Sequence, residues 1–376
     1  MGPFPHDTPS AGITDINPMG TDGFEFVEFA SPEPAKLGRL FEKLGFSAVA
    51  RHRSKQVTMY AQGDVSFLVN AEPDSFAQQF ARDHGPCVCA IAFRVTDAAH
   101  AYQRALQLGA TPIDTQPGPM ELNLPAIEGI GGSHIYFVDR YGDAGSIYDV
   151  DFVWEDKAST PKKRNPDGSG LFYLDHLTHN VQRGNMDKWA GFYEKYFNFR
   201  EIRYFDIEGK LTGLVSRAMT SPCGKIRIPI NESSDDKSQI EEYLREYRGE
   251  GIQHIAMGSA DIYQSVRTLR DSGVDFMPPP PATYYENLND RVPNHGEDVD
   301  ELASLGVLLD GAPVDEDAGK PGILLQIFTN TVIGPVFFEL IQRKGDEGFG
   351  EGNFRALFES IEQDQIRRGV LKENHS

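Results

Sequence analysis

The chain has 376 residues, 39% hydrophobic and 24% charged, which is enough for two or more packed cores and is the balance of a folded protein. Lys and Arg total 36 against 56 Asp and Glu, a net charge of −20 that repels phosphate backbones and argues against nucleic acid or an anionic membrane as partner. Three cysteines, Cys87, Cys89 and Cys223, are too few for a disulfide framework and lack zinc-site spacing; with no basic leader and no long apolar span, the expected location is the cytoplasm.

In chain order, the first element with clear periodicity is a helix with Leu37, Leu40, Phe41 and Leu44 on one stripe. An apolar strand from Val88 then reaches Asp97, and a helix from Ala98 ends at Gly109, where a left-handed C-cap suits a residue without a side chain. Ser133 to Val138 and Ser146 to Trp154 read as paired strands closing this half. The run from Glu155 to Gly170 is polar, charged and broken by Pro and Gly, as a linker is.

The second half repeats the first. Ile252 to Gly273 overlays Val88 to Gly109, so that Asp261 meets Asp97 and Gly273 meets Gly109. A strand over Asp175 to Val181 precedes a helix with Trp189, Ala190, Tyr193 and Phe197 on one stripe, and Gly322 to Thr329 pairs with Val336 to Gln342. After a Gly-rich turn, Asn353 is a natural N-cap for a helix with Phe354, Leu357, Phe358 and Ile361 on one face, placed to act as a lid. The domains are therefore 12–155 and 171–343, with a linker at 156–170 and a lid turn and helix at 344–376.

Three strands of the second half carry residues that are costly to bury unpaired. His254 sits in an apolar run, and Glu339 lies between Phe338 and Leu340, where an ionised carboxylate needs a cation; a metal or Arg343 could supply it. His176 and His179 are three apart on a strand and point to opposite faces, so only one of them can join this group, and spacing alone does not choose. Phe24 and Ala90 lie near the corresponding positions in the first half, which leaves one metal per chain. Two imidazoles and a carboxylate without thiolate favour non-haem Fe(II), although zinc or manganese also satisfies the ligand chemistry. Gln326, Phe328, Phe337, Phe349 and Phe354 would surround the metal with an amide and several rings, a setting for a planar aromatic substrate with polar ends.

The runs Asp175-His176-Leu177-Thr178-His179-Asn180-Val181, Gly251-Ile252-Gln253-His254-Ile255-Ala256, Leu325-Gln326-Ile327-Phe328-Thr329, Phe338-Glu339-Leu340-Ile341-Gln342-Arg343 and Gly352-Asn353-Phe354-Arg355-Ala356-Leu357-Phe358 resemble the 4-hydroxyphenylpyruvate dioxygenase family, bacterial type, over about Gly12 to Leu371. The resemblance implies an α+β fold of two vicinal-oxygen-chelate domains, glyoxalase- and extradiol-dioxygenase-like, each an open β-barrel of paired βαβββ modules, followed by a C-terminal gating helix. It implies Fe(2+), one per chain, on His176 rather than His179, with His254 and Glu339. It assigns catalytic polar roles to Ser216, Asn231, Gln239, Gln253 and Gln326, and substrate contacts to Phe328, Phe337, Phe349, Asn353 and Phe354. Strict alternation would aim Gln253 away from His254, so either barrel curvature re-aims it or it acts from behind the ligands.

The implied reaction takes 4-hydroxyphenylpyruvate and O2 to homogentisate and CO2 by oxidative decarboxylation, ring hydroxylation and side-chain migration, in tyrosine and phenylalanine catabolism. The substrate's own 2-oxo acid makes added 2-oxoglutarate unnecessary. A homo-oligomer, dimer or tetramer, is implied as well. Hydroxymandelate synthase shares fold, ligands and substrate and is the alternative; a metal-free binding protein of the same fold is the rival of a different class.

Overall fold

The computed structural model describes residues 8–155, 164–208, 213–286, 288–311, 322–350, 352–353, 365 and 368–370. The first half forms β1 (Thr21–Ala30), β2 (Ser47–His52), β3 (Val57–Gln62), β4 (Val65–Asn70), β5 (Cys87–Val95), β6 (Pro112–Ile113), β7 (Ala126–Glu128), β8 (His134–Val138) and β9 (Phe152–Trp154). The second forms β10 (Leu171–Val181), β11 (Arg200–Glu208), β12 (Gly213–Thr220), β13 (Arg227–Ser233), β14 (Gly251–Ser259), β15 (Leu308–Gly311), β16 (Ile323–Phe328) and β17 (Phe337–Lys344).

The strand order is β9-β2-β3-β4-β1-β5-β8-β7-β6 in one sheet and β11-β12-β13-β10-β14-β17-β16-β15 in the other. Apart from β9, the two orders correspond strand for strand. In each sheet the central antiparallel pair, β1 with β5 or β10 with β14, is flanked by parallel neighbours, and the sheet curls into an open barrel. The repeat legible in the sequence is thus a repeat of topology.

Local chemistry sets the helix ends as expected. Asp97 and Asp261 cap helices Ala98–Gln107 and Ile262–Asp271 by accepting from the backbone N–H of His100 at 2.8 Å and of Gln264 at 3.0 Å. Gly109 and Gly273 follow those helices at φ +92° and +78°. The stretch Ser146 to Trp154 differs from its expectation. Ser146 caps a short helix, Ile147–Asp151, so only Phe152–Trp154 is extended, and that strand pairs with β2 instead of β8. A serine whose hydroxyl can reach the Tyr148 N–H competes with the ladder in a segment that apolar character alone marks as strand.

The helices lie on the outer faces of the two sheets, where one continuous core draws on both halves: Phe41 and Phe67 contact Phe338 with ring centroids 6.5 and 5.9 Å apart. The barrel interiors face away from this shared layer. Part of the linker is built into it: the Ser169 hydroxyl donates to the Leu44 carbonyl and to Gln62, both within the first half.

Candidate metal centre

Two β-bulges decide which side chains enter the second barrel. Leu174 pairs with Met257 and His176 with Ala256, so Asp175 is an extra residue on β10; Thr178 pairs with His254 and His179 with Ile252, so Gln253 is an extra residue on β14. A bulge places its extra residue and the next one on the same side of the strand. Asp175 therefore stands beside His176, and Gln253 beside His254. The same irregularities recur in the first half, at Glu25 on β1 and Cys89 on β5. That register makes Phe26, not Phe24, the counterpart of His176; Ala90 is the counterpart of His254 as expected.

His176, His254 and Glu339 converge, all buried, with their ligating atoms within 4.8 Å of one another. Glu339 Oε2 lies 3.2 Å from His176 Nε2 and 3.3 Å from His254 Nε2. Two ligands each about 2.1 Å from one ion at a right angle stand about 3 Å apart, so these separations suit a shared metal. The far side of each ring is fixed. His176 Nδ1 is 2.8 Å from Asp175 Oδ1 and His254 Nδ1 is 3.0 Å from Gln253 Oε1, so each Nδ1–H donates to an oxygen acceptor and each Nε2 lone pair is left for a ligand role.

The charges follow from this packing. Burial disfavours the His176 imidazolium, but Glu339 and Asp175 outweigh it and raise its pKa. Burial prevails at His254, whose pKa is lowered. Burial also works against the Glu339 carboxylate, yet the two imidazoles hold it below its ordinary range. Asp175 is held well below the carboxylate range, against burial, chiefly by Arg343, which binds it through Nε at 2.7 Å and Nη2 at 2.8 Å. Arg343 is therefore the partner of Asp175 and not of Glu339, which removes the alternative account of Glu339. His179 faces the opposite way, with Nε2 2.7 Å from the Tyr193 hydroxyl in the shared core.

The surrounding wall is aromatic. Phe337 stacks on His254 with centroids 4.8 Å apart, Phe328 meets the same ring edge-on at 6.5 Å, and Phe349 stands edge-on to His176 at 5.4 Å. Gln326 Nε2 donates to Glu339 Oε1 at 3.1 Å, and the Asn353 amide lies between Gln326, at 3.0 Å, and the Tyr284 hydroxyl, at 2.6 Å. Gln239 does not reach the three ligands directly; its Oε1 accepts from Gln253 Nε2 at 2.7 Å, which makes Gln239-Gln253-His254 a chain. A cavity of about 370 Å³ opens beside this chain, lined by Gln239, Gln253, Met277 and Phe337 among others. Phe354 and the rest of the expected lid stripe lie outside the described residues.

Ser216 on β12, Asn231 on β13 and Asn180 on β10 stand side by side in register. All three are buried, and Ser216 Oγ, Asn231 Oδ1 and both amide atoms of Asn180 have no hydrogen-bond partner among the described residues; nor has Thr178 Oγ1. Buried polar atoms without partners are costly, so this row is built to meet something besides protein. Asn180 and Thr178 were not among the expected site residues. Two-residue alternation from His176 was the signal that could have found them. Asp175 was missed because alternation places it on the wrong face.

Residues 16–153 match the family model described as hydroxyphenylpyruvate dioxygenase, N-terminal, and residues 173–302 match that of the glyoxalase/bleomycin resistance protein/dioxygenase superfamily. The chain is 66% identical to hemolysin VllY of Vibrio vulnificus, over 96% of this chain and 99% of that one. It is 59% identical to a 4-hydroxyphenylpyruvate dioxygenase of Pseudomonas aeruginosa, again over 96% of this chain and 99% of the relative. Among solved structures, a mutant of 4-hydroxymandelate synthase from Streptomyces coelicolor is similar with a TM-score of 0.79 at 26% identity, covering 92% of this chain and 100% of that one.

Proposed function

We propose that His176, His254 and Glu339 hold one Fe(II) for the reaction of the family to which this chain belongs, that of 4-hydroxyphenylpyruvate dioxygenase. The chain is a dioxygenase that converts 4-hydroxyphenylpyruvate and O2 to homogentisate and CO2. Relatives of that activity are 53–59% identical over nearly the whole chain, whereas the hydroxymandelate-forming structure is 26% identical, so the balance favours homogentisate.

The single observation that carries the iron assignment is the donor set: two neutral-capable imidazoles and one carboxylate on three adjacent strands, with no thiolate. A ferrous ion held by these three residues would supply the oxygen chemistry, with the substrate's 2-oxo acid as its chelating partner. The protein's own part is placement. Phe328, Phe337 and Phe349 offer flat walls for the substrate ring. Ser216, Asn231 and Asn180 offer hydrogen bonds to its polar groups, and Gln326 keeps the outer oxygen of Glu339 occupied. A lid drawn from the C-terminal segment would exclude water once substrate is bound.

We assign the chain to tyrosine and phenylalanine catabolism, to the cytoplasm and to a homo-oligomer on the same family grounds. No helix among the described residues is long and apolar enough to cross a membrane. The test is anaerobic reconstitution with Fe(II) and addition of 4-hydroxyphenylpyruvate, which should give a visible charge-transfer band, followed by oxygen and product identification. Homogentisate without added 2-oxoglutarate is expected; hydroxymandelate, or strict dependence on 2-oxoglutarate, would overturn the reading.

A further inference from the structure

The first barrel, which lacks the three metal ligands, contains a cavity of its own of about 480 Å³. That is within the range of about 300–1,000 Å³ typical of small-molecule sites. Its position is set by the repeat. Register makes Ala90 the counterpart of His254, Tyr136 of Glu339, Asn70 of Asn231 and Val57 of Ser216, so the cavity occupies in the first barrel the place that the metal centre occupies in the second.

Its floor is polar in a specific way. Glu28 on β1 and His134 on β8 both pair with Ala90 on β5, so they flank it on one face, their Cα atoms about 10 Å apart at two strand spacings. Between them Ala90 presents only a methyl group, where the other barrel has an imidazole. Glu28 is 9% exposed and accepts from Asn70 Nδ2 at 2.7 Å; burial pushes its pKa up, although Asn70 and Lys55 oppose the rise. His134 is 6% exposed, stacks on Phe76 with centroids 3.5 Å apart, and leaves Nδ1 without a partner. Burial lowers its pKa to about 4, so it is a neutral ring at physiological pH.

The walls carry charge of one sign. Glu72, Asp74, Asp114, Glu121 and Asp151 line the cavity with Glu28, whereas Lys55 is the only Lys or Arg among the described lining residues and is bound to Glu121 at 2.7 Å. Burial also lowers the pKa of His52, the remaining titratable imidazole there. Phe26, Phe76, Tyr136 and Phe152 supply apolar and aromatic surface. An anion would meet an excess of carboxylates over the single lysine, Lys55. A cationic group seated over Ala90 would meet the Glu28 carboxylate on one side and the neutral His134 ring on the other, with rings positioned to contact its body.

We propose that the first barrel is a second, non-catalytic binding site for a small protonated amine bearing an aromatic ring, with Glu28 as counter-ion beside the neutral His134 ring. The inference does not rest on the iron assignment, since none of these residues belongs to the metal centre.

Phenethylamine is the probe, titrated calorimetrically into the full-length, metal-loaded protein with the catalytic site saturated by product, and phenylacetate is the anionic control. Saturable binding of phenethylamine at one site per chain, with a Kd of about 1 mM or tighter, and none of phenylacetate is expected. Glu28→Gln keeps the shape and an Asn70 contact, and should weaken binding about tenfold or more. Leu68→Trp fills the cavity from β4 and should abolish binding whether or not the first variant folds. Homogentisate formation should be unchanged in both. Absence of saturable binding to the unaltered protein, or affinity unchanged by both substitutions, would overturn the proposal.

Discussion

Gln253, the residue immediately before His254, accepts from that imidazole's Nδ1 at 3.0 Å, which the regular alternation of a strand forbids and a bulge permits. Asp175 stands in the same relation to His176 on the neighbouring strand. One backbone device, used twice, thus sets the tautomer of both candidate ligands.

Replacing Gln253 by Leu should lower divalent-metal affinity by about 10–100-fold, the usual effect of removing an acceptor behind a ligating histidine, with little change in thermal midpoint. Competitive titration against a chromogenic chelator measures it. Unchanged affinity would show that Gln253 acts only on substrate.

Asp175 has a second duty that makes its loss more severe. It neutralises Arg343, and both side chains are fully buried. Asp175→Ala should therefore cost about 3–5 kcal/mol in urea unfolding, because an unpaired guanidinium remains inside. Converting the pair together, Asp175→Leu with Arg343→Met, should recover most of that stability without restoring metal affinity. If the double variant binds metal normally, Asp175 matters only for the charge of Arg343.

The overlay of Val88–Gly109 on Ile252–Gly273 was legible because caps and apolar periodicity are local, and the two halves share them residue for residue. Glu339 and His254 were legible because an ionisable side chain inside an apolar strand is costly and so informative. Asp175 and the direction of Gln253 were hidden for one reason: a bulge adds one residue to the count, and its position depends on pairing with a distant strand. Arg343 enters the sequence reading only as the alternative to a metal beside Glu339, since sequence does not say that Asp175 lies on its side of the sheet.

His179 and His176 should separate cleanly. His176→Ala is expected to lose the metal, and His179→Phe to keep it. The cost of His179→Phe should fall on stability, about 1–3 kcal/mol at neutral pH, since the Tyr193 hydroxyl loses its partner. Burial pushes the His179 pKa down to about 3, against about 6.5 in the unfolded chain. Between those values the unfolded state binds a proton that the folded state does not, so stability falls as pH is lowered from about 6.5 toward 3. Denaturant midpoints measured across that window should fall less steeply for His179→Phe than for the unaltered protein; an identical slope would contradict the buried neutral assignment.

Gly350 offers a way to disturb the site without touching a metal ligand. Its φ of +71° disfavours any side chain, and a Cβ built there would lie 1.8 Å from Gln326 Oε1. Gln326 in turn donates from Nε2 to the outer oxygen of Glu339. Gly350→Ala must therefore displace the Gln326 amide or the turn that carries Phe349, and in either case the wall around the substrate loses its registration. A left-handed backbone with a Cβ costs about 1–2 kcal/mol, too little to unfold an ordinary domain. We expect one bound metal per chain as before, with homogentisate formation reduced about tenfold or more, because a small misplacement of a substrate-positioning group is enough for that loss. Gln326→Ala should reduce turnover to a similar degree, and adding it to Gly350→Ala should have little further effect. Additive losses in the double variant would place the effect of Gly350 elsewhere in the turn.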